Sequence, residues 1–295
     1  MTHAIKADLI LITVALLAAA GWVFSKEALV GLPPLLFIGL RFFAAGVILI
    51  LSGKTRLNSL KRPQLQRALL SAVTFAGALC VWIFGLHHST HLGVGAFITS
   101  LAVILVPVFS FLLYRERPEA SNWWALPVAL AGLALLTLKD GLHWEGGQLF
   151  FVIAALVFAF QFTYTSQIVR QMSAIALTAI QLLMVGVVAL GLSTMFETWP
   201  EQVSGSVWGW LVLSTLLATC MRFFLQVYAQ SLAPASHTAV ILILEPVLTS
   251  MLAAFWFGEQ MVLMQFFGCV LIFLALLIAR WKFVRAMFRS LRAQR

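Results

Sequence analysis

The sequence predicts an all-α polytopic membrane protein whose ten transmembrane helices form two inverted five-helix repeats. Three observations carry this expectation. Apolar residues make up 62% of the 295-residue chain, charged residues 10%, and mean hydropathy is +1.01, whereas a soluble domain holds about 25% charged residues. The basic residues fall on alternate connections between apolar runs. The second half of the chain also repeats the first at a nearly constant offset.

At ~20 apolar residues per crossing, the length accommodates about ten helices and little else. Runs bounded by Gly, Pro or charge clusters place them in order. The first spans 8–28: Lys6 and Ala18-Ala19-Ala20 resemble a cleaved leader, but the apolar run continues through Trp22, Val23 and Phe24. The second spans 34–52, between Pro33 and Lys54; the third, 66–86, follows Lys61, Arg62 and Pro63. The fourth, 92–114, stops at Arg115, and the fifth, 121–139, at Lys139. The sixth, 147–169, runs from Gly146-Gly147 to Arg170. The seventh and eighth are placed at 173–195 and 208–230, and the ninth at 235–257 between Pro234 and Gly258. The tenth, 261–281, precedes a basic tail.

Fifteen Lys and Arg residues lie on one set of connections and termini, from Lys6 through Arg67, Arg117 and Arg170 to Arg295. The opposite set carries Lys139 alone. Positive charge stays on the cytoplasmic side, so both termini are expected there, in an inner membrane, with an even number of crossings. Trp123, Trp124 and Trp281 then fall at cytoplasmic ends, and Trp144, Trp199, Trp208, Trp210 and Trp256 at outer ends, where indoles anchor. The net charge of +9 therefore reports membrane orientation rather than nucleic-acid binding.

An offset of 143 lays residues 115–136 over 258–279, so Glu116 meets Glu259; earlier helices fit an offset of 140, which lays Arg41 over Gln181. Repeats of 1–143 and 144–295, each with an odd number of crossings, must be inverted relative to one another. That is a transporter architecture, with substrate held near the midplane.

Motifs in both halves add a family likeness. Gly39-Leu40-Arg41-Phe42, Ser236-His237-Thr238-Ala239, Leu244-Glu245-Pro246-Val247, Phe257-Gly258-Glu259-Gln260 and Gln265-Phe266-Phe267-Gly268 stand in this chain, with Val106-Pro107 and Arg115-Glu116-Arg117-Pro118 in the first half. With them the sequence resembles the drug/metabolite transporter superfamily, specifically its EamA-like ten-helix exporters, over essentially its whole length. The usual Trp-Gly of the first helix reads Ala20-Gly21-Trp22, and Ala275 stands where Gly is usual. The resemblance implies a basket of helices around a central cavity and export of small metabolites, commonly amino acids.

Charge inside the apolar runs marks the candidate site. Arg41, Arg222 and Glu245 each cost about 2.5–3.5 kcal/mol at a helix centre on insertion scales, so each needs a partner, a cavity or water. Glu245 lies ~15 Å into its helix, with Thr238 and Thr249 expected on its face. Thr215, Thr219, Arg222 and Gln226 form a matching stripe on the eighth helix, with Arg222 ~6 Å in depth from Glu245. The expected substrate-binding set is Glu245, Arg222, Gln226, Thr219 and Arg41, with Trp22, Trp82, Gln161 and Tyr164 as cavity walls. Three roles stay open for the pair: substrate contact, a structural ion pair, or proton coupling through Glu245. Pro246 removes the donor to the Leu242 carbonyl and is the expected hinge, with Pro107 its counterpart in the first half.

No enzymatic motif is found: HExxH, GxSxG and P-loop patterns are missing. Cys80, Cys220 and Cys269 lie within apolar runs without pair spacing, and His87, His88 and His91 read as a solvated connection. Neither cofactor nor metal is expected. The expected partners are a small-molecule substrate and the lipid bilayer, while oligomeric state is left open. The alternatives are a drug or quaternary-cation exporter of the same superfamily, a channel, and a non-transporting membrane scaffold.

Overall fold

The computed structural model describes residues 3–52, 60–88, 92–138, 146–258, 262–279 and 281. Regular structure among the described residues is all helical. Nine helices among them are long and apolar enough to cross a membrane. They are α1 (His3–Ala28), α2 (Pro34–Leu51), α3 (Arg62–His87), α4 (Leu92–Tyr114) and α5 (Ala120–Thr137). The series continues with α6 (Gly146–Ile168), α7 (Ala174–Phe196), α8 (Gly205–Leu232) and α9 (Ala235–Phe257). A tenth apolar helix, α10 (Leu263–Ala279), is shorter. Residues Lys54, Lys139, Trp144, Glu259 and the basic tail lie outside the described residues, as does His91.

Two of these rods are irregular. A π-helical segment, Ser214–Met221, interrupts α8. A turn at Ile243 divides α9 into Ala235–Leu242 and Leu244–Phe257. Pro246 explains the second break. It offers no amide hydrogen to the Leu242 carbonyl, and the Ile243 amide instead donates to Val240 O at 3.3 Å, a tighter turn. By contrast, α4 remains one continuous helix across the buried Pro107.

The bundle is assembled by close helix pairs. The α2 helix lies against α7, α5 against α10, α6 against α3 and α4, and α1 along both α8 and α9. Glycines allow the first two approaches. A Cβ on Gly46 would lie 2.9 Å from the Leu183 amide nitrogen, and one on Gly186 would strike the amide nitrogen of Phe43. A Cβ on Gly132 would lie 2.8 Å from Gly268 O, and one on Gly268 2.7 Å from Gly132 O. Backbones this near gain dispersion contacts, which small residues provide between helices in lipid.

Charged side chains collect at one end, here called the basic end. There Gln167 Nε2 and Arg170 Nη1 donate to Glu116 Oε1 at 2.8 and 3.2 Å, and Lys6 Nζ donates to Tyr228 OH at 3.0 Å. At the far end Glu197 caps α2, whose own N-cap is Pro33. The Leu35 and Leu36 amides donate to its carboxylate at 2.7 and 2.8 Å, and Ser193 Oγ donates to it at 2.8 Å. A carboxylate at a helix N-terminus both meets orphan amides and complements the helix dipole.

Candidate functional site

The site is a bridge between α8, just past its π segment, and α9, just past its break. Arg222 follows the π segment directly, and Glu245 stands two residues beyond Ile243. Arg222 Nη2 donates to Glu245 Oε2 at 3.2 Å, with about a fifth of each side chain exposed. The offset in depth expected from the sequence is absent, because both residues stand ten positions from the basic-end terminus of their span. At 1.5 Å per residue, that is ~15 Å into the bundle.

The π segment also rearranges the expected polar stripe. Thr219 Oγ1 donates to Ser214 O, five residues back, at 3.0 Å, and its side chain is fully buried. The hydroxyl thus stitches the widened turn. Thr215 is likewise buried. Gln226, one turn past Arg222, keeps a buried Oε1 without a hydrogen-bond partner in this structure. On α9 the break at Ile243 moves Thr238 out of register with Glu245: Thr238 is fully buried and donates to Pro234 O at 3.2 Å. Thr249 Oγ1 donates to Glu245 O at 2.9 Å and supports the turn carrying the carboxylate.

Arg41 reaches the same region from α2. Its Nη1 donates to Ser25 Oγ of α1 at 2.9 Å and to Ser214 Oγ, the first residue of the π segment, at 3.1 Å. Its guanidinium lies 5.1 Å from the ring centroids of both Phe37 and Phe42. Arg222 lies 4.5 Å from the ring of Phe223, which packs on Phe42 and Phe75. Two guanidiniums therefore sit over phenylalanine rings, one of them paired with Glu245, and the Nε atoms of both arginines are buried and unpartnered in this structure.

The remaining candidates lie elsewhere. Gln161 donates to Thr165 Oγ1 at 3.0 Å in a buried cluster with Ser71 and Gln181. Gln181 Nε2 donates to Ser71 Oγ at 2.7 Å and to Thr165 Oγ1 at 2.9 Å. Tyr164 stacks on Phe160, Trp82 packs beside Ile98 and Phe151, and Trp22 is exposed on α1. Sequence reasoning missed Ser25, Ser214 and the π segment, since serines in an apolar helix carry no signal of partners 16 and 173 residues away. It also missed the Asp8–His237 pair, although Asp8 is an acid at the start of an apolar run.

The arrangement is a charge pair on two irregular helices, with a second guanidinium from α2, inside a multi-pass helical bundle. The chain belongs to the EamA-like transporter family, whose sequence profile matches residues 5–138 and again 146–281. An uncharacterized transporter of Archaeoglobus fulgidus is 27% identical over 274 residues, covering 92% of this chain and 85% of the relative. The uncharacterized transporter YoaV of Bacillus subtilis is 26% identical over 294 residues, covering 95% and 99%. The uncharacterized inner membrane transporter YedA of Escherichia coli is 28% identical over 164 residues, covering 54% of this chain and 52% of the relative. A crystal structure at 19% identity superposes with a TM-score of 0.81 over 95% of this chain and 98% of that one, a likeness of fold.

Proposed function

We propose that this protein is a secondary transporter that exports small polar metabolites, amino acids and related carboxylates first, across the inner membrane by alternating access. The observation that carries the reading is the unbalanced polar site. Arg41 and Arg222 exceed Glu245 by one positive charge, and both Nε atoms and Gln226 Oε1 are buried without partners. A buried polar atom left unpaired costs about 1–3 kcal/mol, so an arriving carboxylate has the two Nε–H donors waiting for it, while the Gln226 oxygen is an acceptor for a solute's cationic group. Glu245 then serves either as a partner for the solute's cationic group or as the group that titrates.

The inverted architecture of two halves, 1–143 and 144–295, belongs to the same proposal. The contact of Gly46 with Leu183 becomes that of Gly186 with Phe43 when each residue is moved by the 140-residue offset. Arg115 and Gly258, related by the 143-residue offset, both end their helices with positive φ, 53° and 65°. Such exchange is what a two-fold axis in the membrane plane produces. With the basic end facing the cytoplasm, both termini lie inside.

A quaternary-cation or drug exporter is the second reading, favoured by the Phe42–Phe75–Phe223 cluster against Arg222, the partner of the Glu245 carboxylate. The test compares extracellular metabolites from cells expressing the wild type, Glu245→Gln or an empty vector. The proposal expects one carboxylate class to be enriched in the medium by the wild type and not by the variant. Equal enrichment by both proteins makes Glu245 scaffold. Enrichment of cations alone selects the second reading, and no difference from the vector overturns export.

A further inference from the structure

We propose that Asp8 and His237 form a proton-binding site that latches α1 to α9 at the basic end of the bundle. His237 Nε2 and Asp8 Oδ1 are 2.7 Å apart, although 229 residues separate them in sequence. Only 20% and 17% of the two side chains are exposed, enough for protons to exchange with water at that end but too little for solvent to screen the pair fully. Asp8 lies near the start of α1 and His237 is the third residue of α9. A bond between them fixes the separation of those two helix ends.

Imidazole is the side chain whose charge ordinarily changes between about pH 5 and about pH 8. Protonated, His237 gives Asp8 a charge-assisted hydrogen bond within an ion pair. Deprotonated, it retains at most a neutral donor, and charge-assisted bonds are roughly twice as strong as neutral ones. The sign follows: the latch is tighter with the imidazole protonated than with it neutral, so protection is expected to fall as pH rises.

Other titratable groups lie toward the same end. On α1 the nearest is Lys6, whose ammonium donates to Tyr228 OH of α8 and lies 5.3 Å from that ring. Toward the same end, the helices packed on the first part of α9 carry Tyr114 on α4 and Tyr164 on α6, with Glu119 preceding α5. Phenol and ammonium side chains ordinarily titrate near or above about pH 10, and glutamate side chains near about pH 4.

The repeat adds an independent reason to read the pair as functional. Asp8 corresponds to Gln148 at the 140-residue offset, and His237 to Val94 at 143. Neither counterpart titrates. A pair that merely held the scaffold would serve both halves, whereas a proton site is needed once. With the basic end cytoplasmic, protonation would close that side and deprotonation release it for loading.

The test needs no transported solute, so its failure is distinct from failure of the exporter reading. Amide hydrogen exchange is followed in the purified full-length protein in nanodiscs at about pH 5 and about pH 8, corrected for intrinsic exchange chemistry. In the wild type, protection across residues 8–14 and 235–241 should fall ~5-fold with rising pH, if the charge accounts for about half the bond. His237→Gln should be weakly protected at both pH values and His237→Arg strongly protected at both. Asp8→Asn, which keeps an acceptor without the charge, should show a flat profile and guards against a poorly folded His237→Gln. A flat wild-type profile overturns the proposal, as does a pH step that persists in His237→Gln or Asp8→Asn.

Discussion

Arg41 of α2 and Gln181 of α7 make the same pair of hydrogen bonds in exchanged helices. Arg41 joins Ser25 of α1 to Ser214 of α8; Gln181 joins Thr165 of α6 to Ser71 of α3. The 140-residue offset carries Ser25 onto Thr165 and Arg41 onto Gln181, and the 143-residue offset carries Ser71 onto Ser214. One architecture thus holds two polar nodes at different depths, one charged and half-buried, the other neutral and buried. The difference bears on function because a shared scaffold does not require it.

The first prediction exchanges the two chemistries. Arg41→Gln should keep the node bonded and the protein folded, with thermal stability in detergent near that of the wild type, while export falls at least ~10-fold, as expected for about 1.4 kcal/mol of lost binding. Gln181→Arg places a cation where 3% of the residue is exposed and the bonded partners are hydroxyls. That variant should be lost from the folded fraction on size-exclusion chromatography, since an unpaired buried charge costs several kcal/mol. Normal folding of Gln181→Arg would count against the node as described.

A second prediction concerns the α2–α7 contact. A Cβ at Gly186 meets the backbone of Phe43, two residues from Arg41, and a backbone atom cannot swing aside as a side-chain tip can. Gly186→Ala should therefore destabilise by about 1–3 kcal/mol through overpacking. Gly191→Ala on the same helix, where nothing lies within 4 Å, should be neutral or stabilising by up to about 1 kcal/mol. Thermal unfolding of the two variants side by side checks this. Equal midpoints would mean that the close approach is not maintained in the membrane protein.

The third prediction tests the break in α9. Pro246→Ala restores an amide donor for the Leu242 carbonyl and removes the reason for the turn at Ile243. The straightened helix should be more stable, by up to about 3 kcal/mol where the geometry allows, while turnover falls. Flux through proteoliposomes and thermal stability should thus move in opposite directions. Pro107→Ala, in a helix already continuous, should change flux less.

Much of this molecule is legible in its sequence. The Arg222–Glu245 pair was readable because a charge at mid-helix is costly and two opposite charges at similar depth on successive helices have an evident remedy. The break at Ile243 is legible because Pro246, three residues on, has no amide hydrogen to give the preceding turn. The stripe through Thr215 and Thr219 presumes a regular α-helix, whereas α8 widens into a π turn there. Gln161 and Trp82, expected as cavity walls, make their contacts away from the Arg222–Glu245 pair.

Composition and pattern alone determined the membrane class, the helix positions and the side on which positive charge collects. These follow from the transfer of each segment between water and lipid, a local and nearly additive quantity. Only the tertiary structure decided that Arg41 bonds Ser25 and Ser214, that Glu197 caps α2, and that Asp8 meets His237. Those pairings depend on how each helix is rotated about its axis and on which neighbour it meets. Rotation is set by packing across 162 to 229 residues of intervening chain in the longer cases, which no local pattern contains.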